Sequence, residues 1–236
     1  MTPPDTSRRI ARPVPLRESV YEAILEMIVS RSLAPGQHLA EAELAATLGV
    51  SRQPVREALQ WLKNDGWVEL RPGYGAFVHA PTPQEAEQLL SVRSLLETEA
   101  ARLAAENAAE ADVAHLRELW RRGVATVEAD DRDGIVEANA EFHRAVTRAS
   151  GNDVLIELAA QVDRRVRWYY ASVAQRRGAR SWDEHAALIE AIAAGDTEEA
   201  SSVMRAHTEE TRRSYLAAAE EDGVDAPDAD EFENAR

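Results

Sequence analysis

The sequence predicts a mainly α protein in two parts, an N-terminal winged helix-turn-helix followed by an all-α bundle of about six helices. Two observations carry this. First, V-S-R-Q-P-V-R-E-A-L (50–59) lies between a short helical pattern closed by Gly49 and a Gly-rich hairpin signal, R-P-G-Y-G-A-F-V (71–78). Helix, tight turn, second helix and wing in that order describe few other arrangements. Second, from residue 83 onward Leu, Ala, Ile and Val recur at helical spacing with no alternating strand pattern.

In the first part, Leu16–Arg31 places Val20, Ile24, Met27 and Ile28 on one face of a supporting helix. Leu33-Ala34-Pro35-Gly36-Gln37 is a turn signal that leads to the helix over 41–48. Gly49 follows Leu48, where a helix end favours a residue tolerant of left-handed geometry. Ser51 is a good N-cap, able to accept from free N–H groups of the next turn, and Pro54 falls in that first turn at little cost. Arg52 and Arg56 are i and i+4 and project from one side of the helix start; Val55, Ala58, Leu59 and Leu62 form the other. W-V-E-L (67–70) and A-F-V (76–78) flank a Gly-rich tip as wing strands. The bland alternative is a surface helix whose arginines pair with Glu57 or Glu41.

In the second part, Thr82-Pro83-Gln84-Glu85 opens a helix with a capping box and proline at its first position. Helices are expected near 83–107, 110–128, 132–149, 153–177, 182–194 and 197–220. Gly151-Asn152 and Gly195-Asp196 mark breaks, and Ser181-Trp182-Asp183-Glu184 reads as a second capping box. The boundaries expected are an arm over 1–15, a winged unit over 16–80, a helical domain over 81–220 and an acidic disordered tail over 221–236. Arg8, Arg9 and Arg12 lie in that arm.

The net charge of −15 argues against nucleic acid until it is divided along the chain. Residues 1–80 hold nine basic and nine acidic residues, so the whole excess falls on 81–236. A neutral first unit can still present a basic face, because binding depends on the local field. The chain has no cysteine, which suits a cytoplasmic location and excludes disulfides and thiolate metal sites. No apolar run approaches the roughly 20 residues that span a bilayer.

Residues 16–78 resemble the DNA-binding domain of the GntR superfamily of bacterial transcription regulators. The runs that match are L-A-P-G-Q-x-L (33–39), L-G-V-S-R-Q-P-V-R-E-A-L (48–59) and D-G-W-V-E…G-Y-G-A-F-V (65–78). The resemblance implies that Ser51, Arg52, Gln53 and Arg56 contact a DNA operator, with Gly73 and Gly75 in the wing. Some members carry an arginine where Ala42 stands, so that contact is expected to be missing. A homodimer on a short inverted repeat is expected, since one recognition helix reads too few bases.

Histidines punctuate the helical part. Asn139 and His143 are i and i+4 on the third helix, His185 lies early in the fifth and His207 on the sixth. Imidazoles on separate helices can converge on one divalent cation, although a lone core histidine is more often hydrogen-bonded than metal-bound. Residues 83–218 resemble the FCD-type ligand-binding domain of the FadR-like branch, through S-V-R-S-L-L-E-T-E-A-A-R-L-A-A (91–105), N-A-E-F-H-R-A-V-T-R-A-S-G-N (139–152), E-H-A-A-L-I-E-A-I (184–192) and M-R-A-H (204–207). That resemblance implies a metal site at Asn139, His143, His185 and His207, with Asn in place of the commoner Asp. The metal could be zinc, nickel, manganese or iron. It also implies an effector pocket near Arg93, whose alternative is an i,i+4 pair with Glu97 worth roughly 0.2–0.5 kcal/mol.

Trp168, Tyr169 and Tyr170 either line that pocket or simply pack. A metabolite-responsive repressor controlled by a small organic acid is the reading these features favour. The rival is a metal-dependent hydrolase. Against it, no H-E-x-x-H motif is present, Glu141 and Glu184 are explicable as solvent-facing, and the wing would be purposeless.

Overall fold

The structure, a computed structural model, describes residues 15–221, and the chain divides into two compact units, Met1–Ala80 and Pro81–Arg236. The expected N-terminal arm with its arginines and the acidic tail beyond residue 221 lie outside the described residues. The fold is mainly α with a small three-stranded sheet.

The first unit runs α1 (Leu16–Val29), β1 (His38–Leu39), α2 (Glu41–Leu48), α3 (Arg52–Asn64), β2 (Val68–Arg71) and β3 (Gly75–Val78). Helix α1 ends two residues earlier than the pattern suggested, and buries Val20, Ile24, Leu25, Ile28 and Val29. Gly49 takes the left-handed conformation (φ 67°) that lets the chain turn from α2 into α3. Ser51 occupies the N-cap position with extended backbone, but its side chain makes no capping hydrogen bond, contrary to expectation. Helix α3 buries Val55, Ala58, Leu59 and Leu62. The sheet is antiparallel in the order β1-β3-β2, with Val68 opposite Val78, Arg71 opposite Gly75 and His38 opposite Phe77. The sequence reading missed β1; two residues are too few to show a period.

The second unit contains α4 (Pro83–Asn107), α5 (Glu110–Glu128), α6 (Arg132–Ala149), α7 (Asp153–Tyr170), α8 (Ala174–Ala194) and α9 (Thr197–Glu221). Thr82 and Glu85 form the capping box expected for α4. Leu116, Phe142, Val146, Trp182, Leu188 and Met204 bring α5, α6, α8 and α9 into one apolar core. Gly123 is necessary to it: a Cβ there would come within 2.0 Å of the Trp182 ring.

One boundary differs in a way that matters. The helix expected to run to residue 177 stops at Tyr170, and α8 begins at Ala174, with a break at Gly178 (φ 18°, ψ −116°). Ser181 therefore lies inside α8, not at a helix start, and is fully buried. The short turn at 171–173 re-phases the chain so that Arg177, Ser181, Trp182 and His185 all point inward.

Candidate functional site

Two sets of residues stand out, one in each unit. In the first, Ser51, Arg52, Gln53 and Arg56 are all exposed along the start of α3, opposite its buried side. The bland pairing set beside their expected DNA role is present. Arg56 donates through Nε (2.9 Å) and Nη2 (2.8 Å) to the two carboxylate oxygens of Glu41, and Gln53 donates to Glu57 (2.8 Å). The Arg56 side chain is still 58% exposed, so the pair caps a surface and does not bury the charge. At the wing tip Gly73 and Gly75 have φ of 79° and 99°, flanking an exposed Tyr74. Gly75 has a local reason as well, since a Cβ there would approach His38 Nε2 to 2.9 Å.

In the second unit four helices bring charged and polar side chains into the apolar core. Helix α4 supplies Arg93 and Glu97, α6 supplies Asn139 and His143, α8 supplies Arg177, Glu184 and His185, and α9 supplies His207. All but Glu184 are buried. Each histidine offers one nitrogen, and these atoms lie within 4.8 Å of one another.

The hydrogen bonding sets the protonation of these rings. His207 Nδ1 is 2.8 Å from Glu184 Oε2, and His143 Nδ1 is 3.0 Å from Glu97 Oε2. An ionised carboxylate only accepts, so His207 Nδ1 carries the proton and its Nε2 presents a lone pair. A guanidinium only donates, so His143 Nε2, 3.2 Å from Arg93 Nη2, also presents a lone pair, while the His143–Glu97 contact lacks hydrogen-bond alignment. Those two Nε2 atoms lie 3.2 Å apart, and two lone pairs cannot bond to each other. A cation between or beside them resolves the conflict. In the structure Arg93 Nη2 donates to His143 Nε2 at 3.2 Å. The carboxylate–imidazole pairing is the arrangement that orients histidine metal ligands.

His185 makes the case more sharply. It is 1% exposed, stacked on Phe142 (4.1 Å between centroids) and edge-on to Trp182 (4.7 Å), and neither ring nitrogen has a hydrogen-bond partner. Asn139 Oδ1 is likewise buried without a partner. Buried polar atoms left unmet are rare enough in native structures to need a reason, and the capacity to ligate an ion is one. Burial, reinforced by the neighbouring histidines and arginines, holds the His185 pKa well below its ordinary value; His207 is lowered to about 4, again first by burial. Both imidazoles stay neutral, the form that ligates metal. Burial would raise the carboxylates, yet Arg93 and His143 hold Glu97 well below the usual range, and His207 and Arg177 lower Glu184 to about 2.

All four expected metal-site residues and Arg93 are thus buried in one bundle. Two expectations change. Glu184 does not face solvent: it accepts from both His207 and Arg177, because the kink in α8 turns it toward α9. The Arg93–Glu97 pair exists at 2.9 Å, but at 1% and 12% exposure it is no surface helix pair. Glu141 pairs with Arg122 at 3.1 Å. Trp168, Tyr169 and Tyr170 are buried packing residues. Sequence reasoning missed Arg177; its spacing seven residues before Glu184 was the available signal, hidden by the assumed helix break between them.

A winged helix-turn-helix joined to a helical domain with an internal polar site defines a DNA-binding transcription regulator. Residues 16–78 match the model of the bacterial regulatory proteins of the gntR family, and residues 88–210 match the FCD domain. The chain belongs to the GntR family of bacterial regulatory proteins, in the group that carries an FCD domain. The HTH-type transcriptional regulator LutR of Bacillus subtilis is 33% identical over 206 residues, spanning 77% of this chain and 92% of that protein. The HTH-type transcriptional repressor RspR of Escherichia coli K12 is 29% identical over 154 residues, spanning 64% and 68%. A putative GntR transcriptional regulator from Rhodococcus sp. RHA1 superposes with a TM-score of 0.74 at 25% identity, covering 87% of this chain and 99% of that one. E. coli McbR/YncC does so at 0.72 and 25%, covering 89% and 99%. The protein is a regulator and not an enzyme; the hydrolase reading finds no support in its family or relatives. Among the described residues no helix is long and apolar enough to cross a membrane.

Proposed function

We propose that this protein is a homodimeric repressor that binds a palindromic operator through α3 and the wing. In this reading a divalent metal and a small carboxylate effector in the helical domain control it. The observation that carries the reading is the convergence of His143, His185 and His207, with two ring nitrogens of His185 and Asn139 Oδ1 unmet. Zinc, nickel, manganese or iron would suit this nitrogen and oxygen donor set, and no thiolate competes. Three neutral imidazoles and one amide leave the cation its full charge, which favours an anionic oxygen ligand. Arg93 Nη1, buried and without a hydrogen-bond partner, can add a charge-assisted hydrogen bond to a carboxylate.

Dimer formation is supported by apolar residues left exposed on two adjacent helices, Val92 and Leu95 (74% exposed) on α4 with Val154 and Leu158 on α7. The operator role of Ser51, Arg52, Gln53, Arg56, Gly73 and Gly75 is supported by their exposure on one helix start and one hairpin tip. For the effector to change DNA binding it must prefer one arrangement of the dimer. Elemental analysis of the purified protein against a His143→Ala/His185→Ala double variant tests the metal. A mobility-shift titration on a selected operator, with and without carboxylates, tests the rest. Equal metal content in both proteins would end the metal reading, and no preference for an inverted repeat would end the operator reading.

A further inference from the structure

Among the described residues the wing, residues 67–78, differs from α3 in having no free cation. Its one basic residue is Arg71. That guanidinium is turned back along the sheet, donating to Glu69 (3.1 Å) and lying over the Phe77 ring (4.3 Å to the centroid). His38 of β1 packs against the same ring (5.0 Å) and comes close to Gly75, so the outer face of the sheet is braced. Beyond this brace the tip is Pro72, Gly73, Tyr74 and Gly75, all exposed. Arg71 stands opposite Gly75 across the hairpin, and the Tyr74 N–H closes the turn by donating to the Arg71 carbonyl at 3.0 Å. With a glycine at positive φ on either side, Tyr74 is left as the large side chain at the end, 65% exposed.

We propose that Tyr74 enters the DNA minor groove beside the α3 contact and reads A·T pairs there. The inference rests on the operator reading above and adds to it a base-reading residue outside α3. An uncharged tip gains little from the phosphate wall, so its place is at the base edges. The minor groove, about 6 Å wide and about 7.5 Å deep, is too narrow for a helix about 10–12 Å across. It does admit a single side chain flanked by glycines. On its floor an A·T pair in either orientation presents only acceptors, which the phenol O–H serves as donor. Guanine adds an amino group that stands in the floor and keeps the ring off it. Runs of A·T also narrow the groove and bring its walls onto the ring. Tyr74 therefore adds affinity without releasing counterions, unlike an arginine that neutralises a phosphate.

The test uses the full-length protein and its Tyr74→Ala variant, each to select duplexes from a random pool, followed by mobility-shift titration of the selected sites. The unaltered protein should enrich A·T pairs at fixed positions flanking the α3-contacted bases of each half-site. Tyr74→Ala should lose that enrichment and keep the rest of the site. At those positions 2,6-diaminopurine in place of adenine adds an amino group to the minor groove and leaves the major groove unchanged. It should weaken binding of the unaltered protein about tenfold, as one wrong base pair does. Inosine in place of guanine removes that group and should recover a similar factor at a site given G·C there. Tyr74→Ala should respond to neither base, and its slope of log affinity against log salt should match that of the unaltered protein. The same base profile in both proteins, an equal response of both to diaminopurine, or a shallower salt slope in Tyr74→Ala would each overturn the proposal and leave the operator reading standing. If neither protein selects an inverted repeat, both fall.

Discussion

Two arginine–glutamate pairs, one in each unit, show how far the same chemistry is altered by its surroundings. Arg56 and Glu41 form a two-pronged pair at the surface of the winged unit, with 58% and 34% of their side chains exposed. Arg93 and Glu97 pair through a single hydrogen bond one helical turn apart in the bundle, at 1% and 12%. Glu41 is lowered mainly by its hydrogen bond from Arg56, with water screening the remainder. Glu97 pays a large desolvation penalty that Arg93 and His143 together outweigh. The surface pair can be exchanged for another anion, such as a phosphate or a base edge, at little cost. The buried pair cannot open without leaving a charge in an apolar core. The first suits a residue that must trade partners, and the second suits one that must hold a site in place.

The comparison is broken most directly at Glu97. Glu97→Ala leaves the Arg93 Nε–H without its acceptor and the buried guanidinium without its counter-charge, and removing one partner of a buried pair costs about 3–5 kcal/mol. Urea unfolding of the full chain should show that loss, with Glu97→Gln losing less. A cost below about 1 kcal/mol, the level of exposed pairs, would mean that the bundle hydrates this pair.

At the surface the larger effect should appear in binding and not in folding. Arg52→Ala and Arg56→Ala should each weaken operator binding by about tenfold to a hundredfold if each makes a two-pronged base contact. Their melting midpoints should stay close to that of the unaltered protein. Unchanged affinity in both variants would remove α3 from the recognition role.

A third effect sharpens the contrast inside the bundle. Asn139→Asp restores a charge to the only uncharged non-imidazole position of the proposed ligand set. It should tighten metal binding on the order of tenfold, about 1.4 kcal/mol. Competition with a chromophoric chelator measures this. An unaltered constant would place Asn139 outside the ligand set, and its buried Oδ1 would then need another donor.

The surface site was legible in the sequence because its parts are contiguous. Gly49, Ser51, Arg52, Arg56 and the Gly-rich tip lie within 27 residues, and local helix and turn chemistry places them. Four helices build the buried site, so spacing could nominate His143, His185 and His207 but not join them. Glu184 and Arg177 show why. Whether either faces inward depends on the turn at 171–173 and the break at Gly178, and no periodic pattern signals that change of phase. Ser51 shows the reverse limit: a residue suited to capping need not cap when its side chain is left free on an exposed surface.

The smallest expected effect concerns Glu41. If Arg56 leaves Glu41 to reach DNA, a carboxylate is stranded beside the phosphate backbone and opposes binding. If Arg56 keeps Glu41, the pair enters the interface nearly neutral and releases fewer counterions. In both cases Glu41 offsets part of the charge that α3 brings to DNA. Glu41→Gln removes that charge and keeps a group able to accept a hydrogen bond from Arg56. The dependence of log affinity on log salt should then steepen by about one, as for one added phosphate neutralisation. Affinity for unrelated sequence should rise more than affinity for the operator, because the added attraction carries no base information. Folding stability should barely move, as for other exposed pairs. A mobility-shift series from low to high salt on operator and random duplexes measures both quantities. An unaltered slope would show that the Glu41 charge lies outside the field of the bound DNA, and Arg56 would then act as a structural residue of the α2–α3 corner.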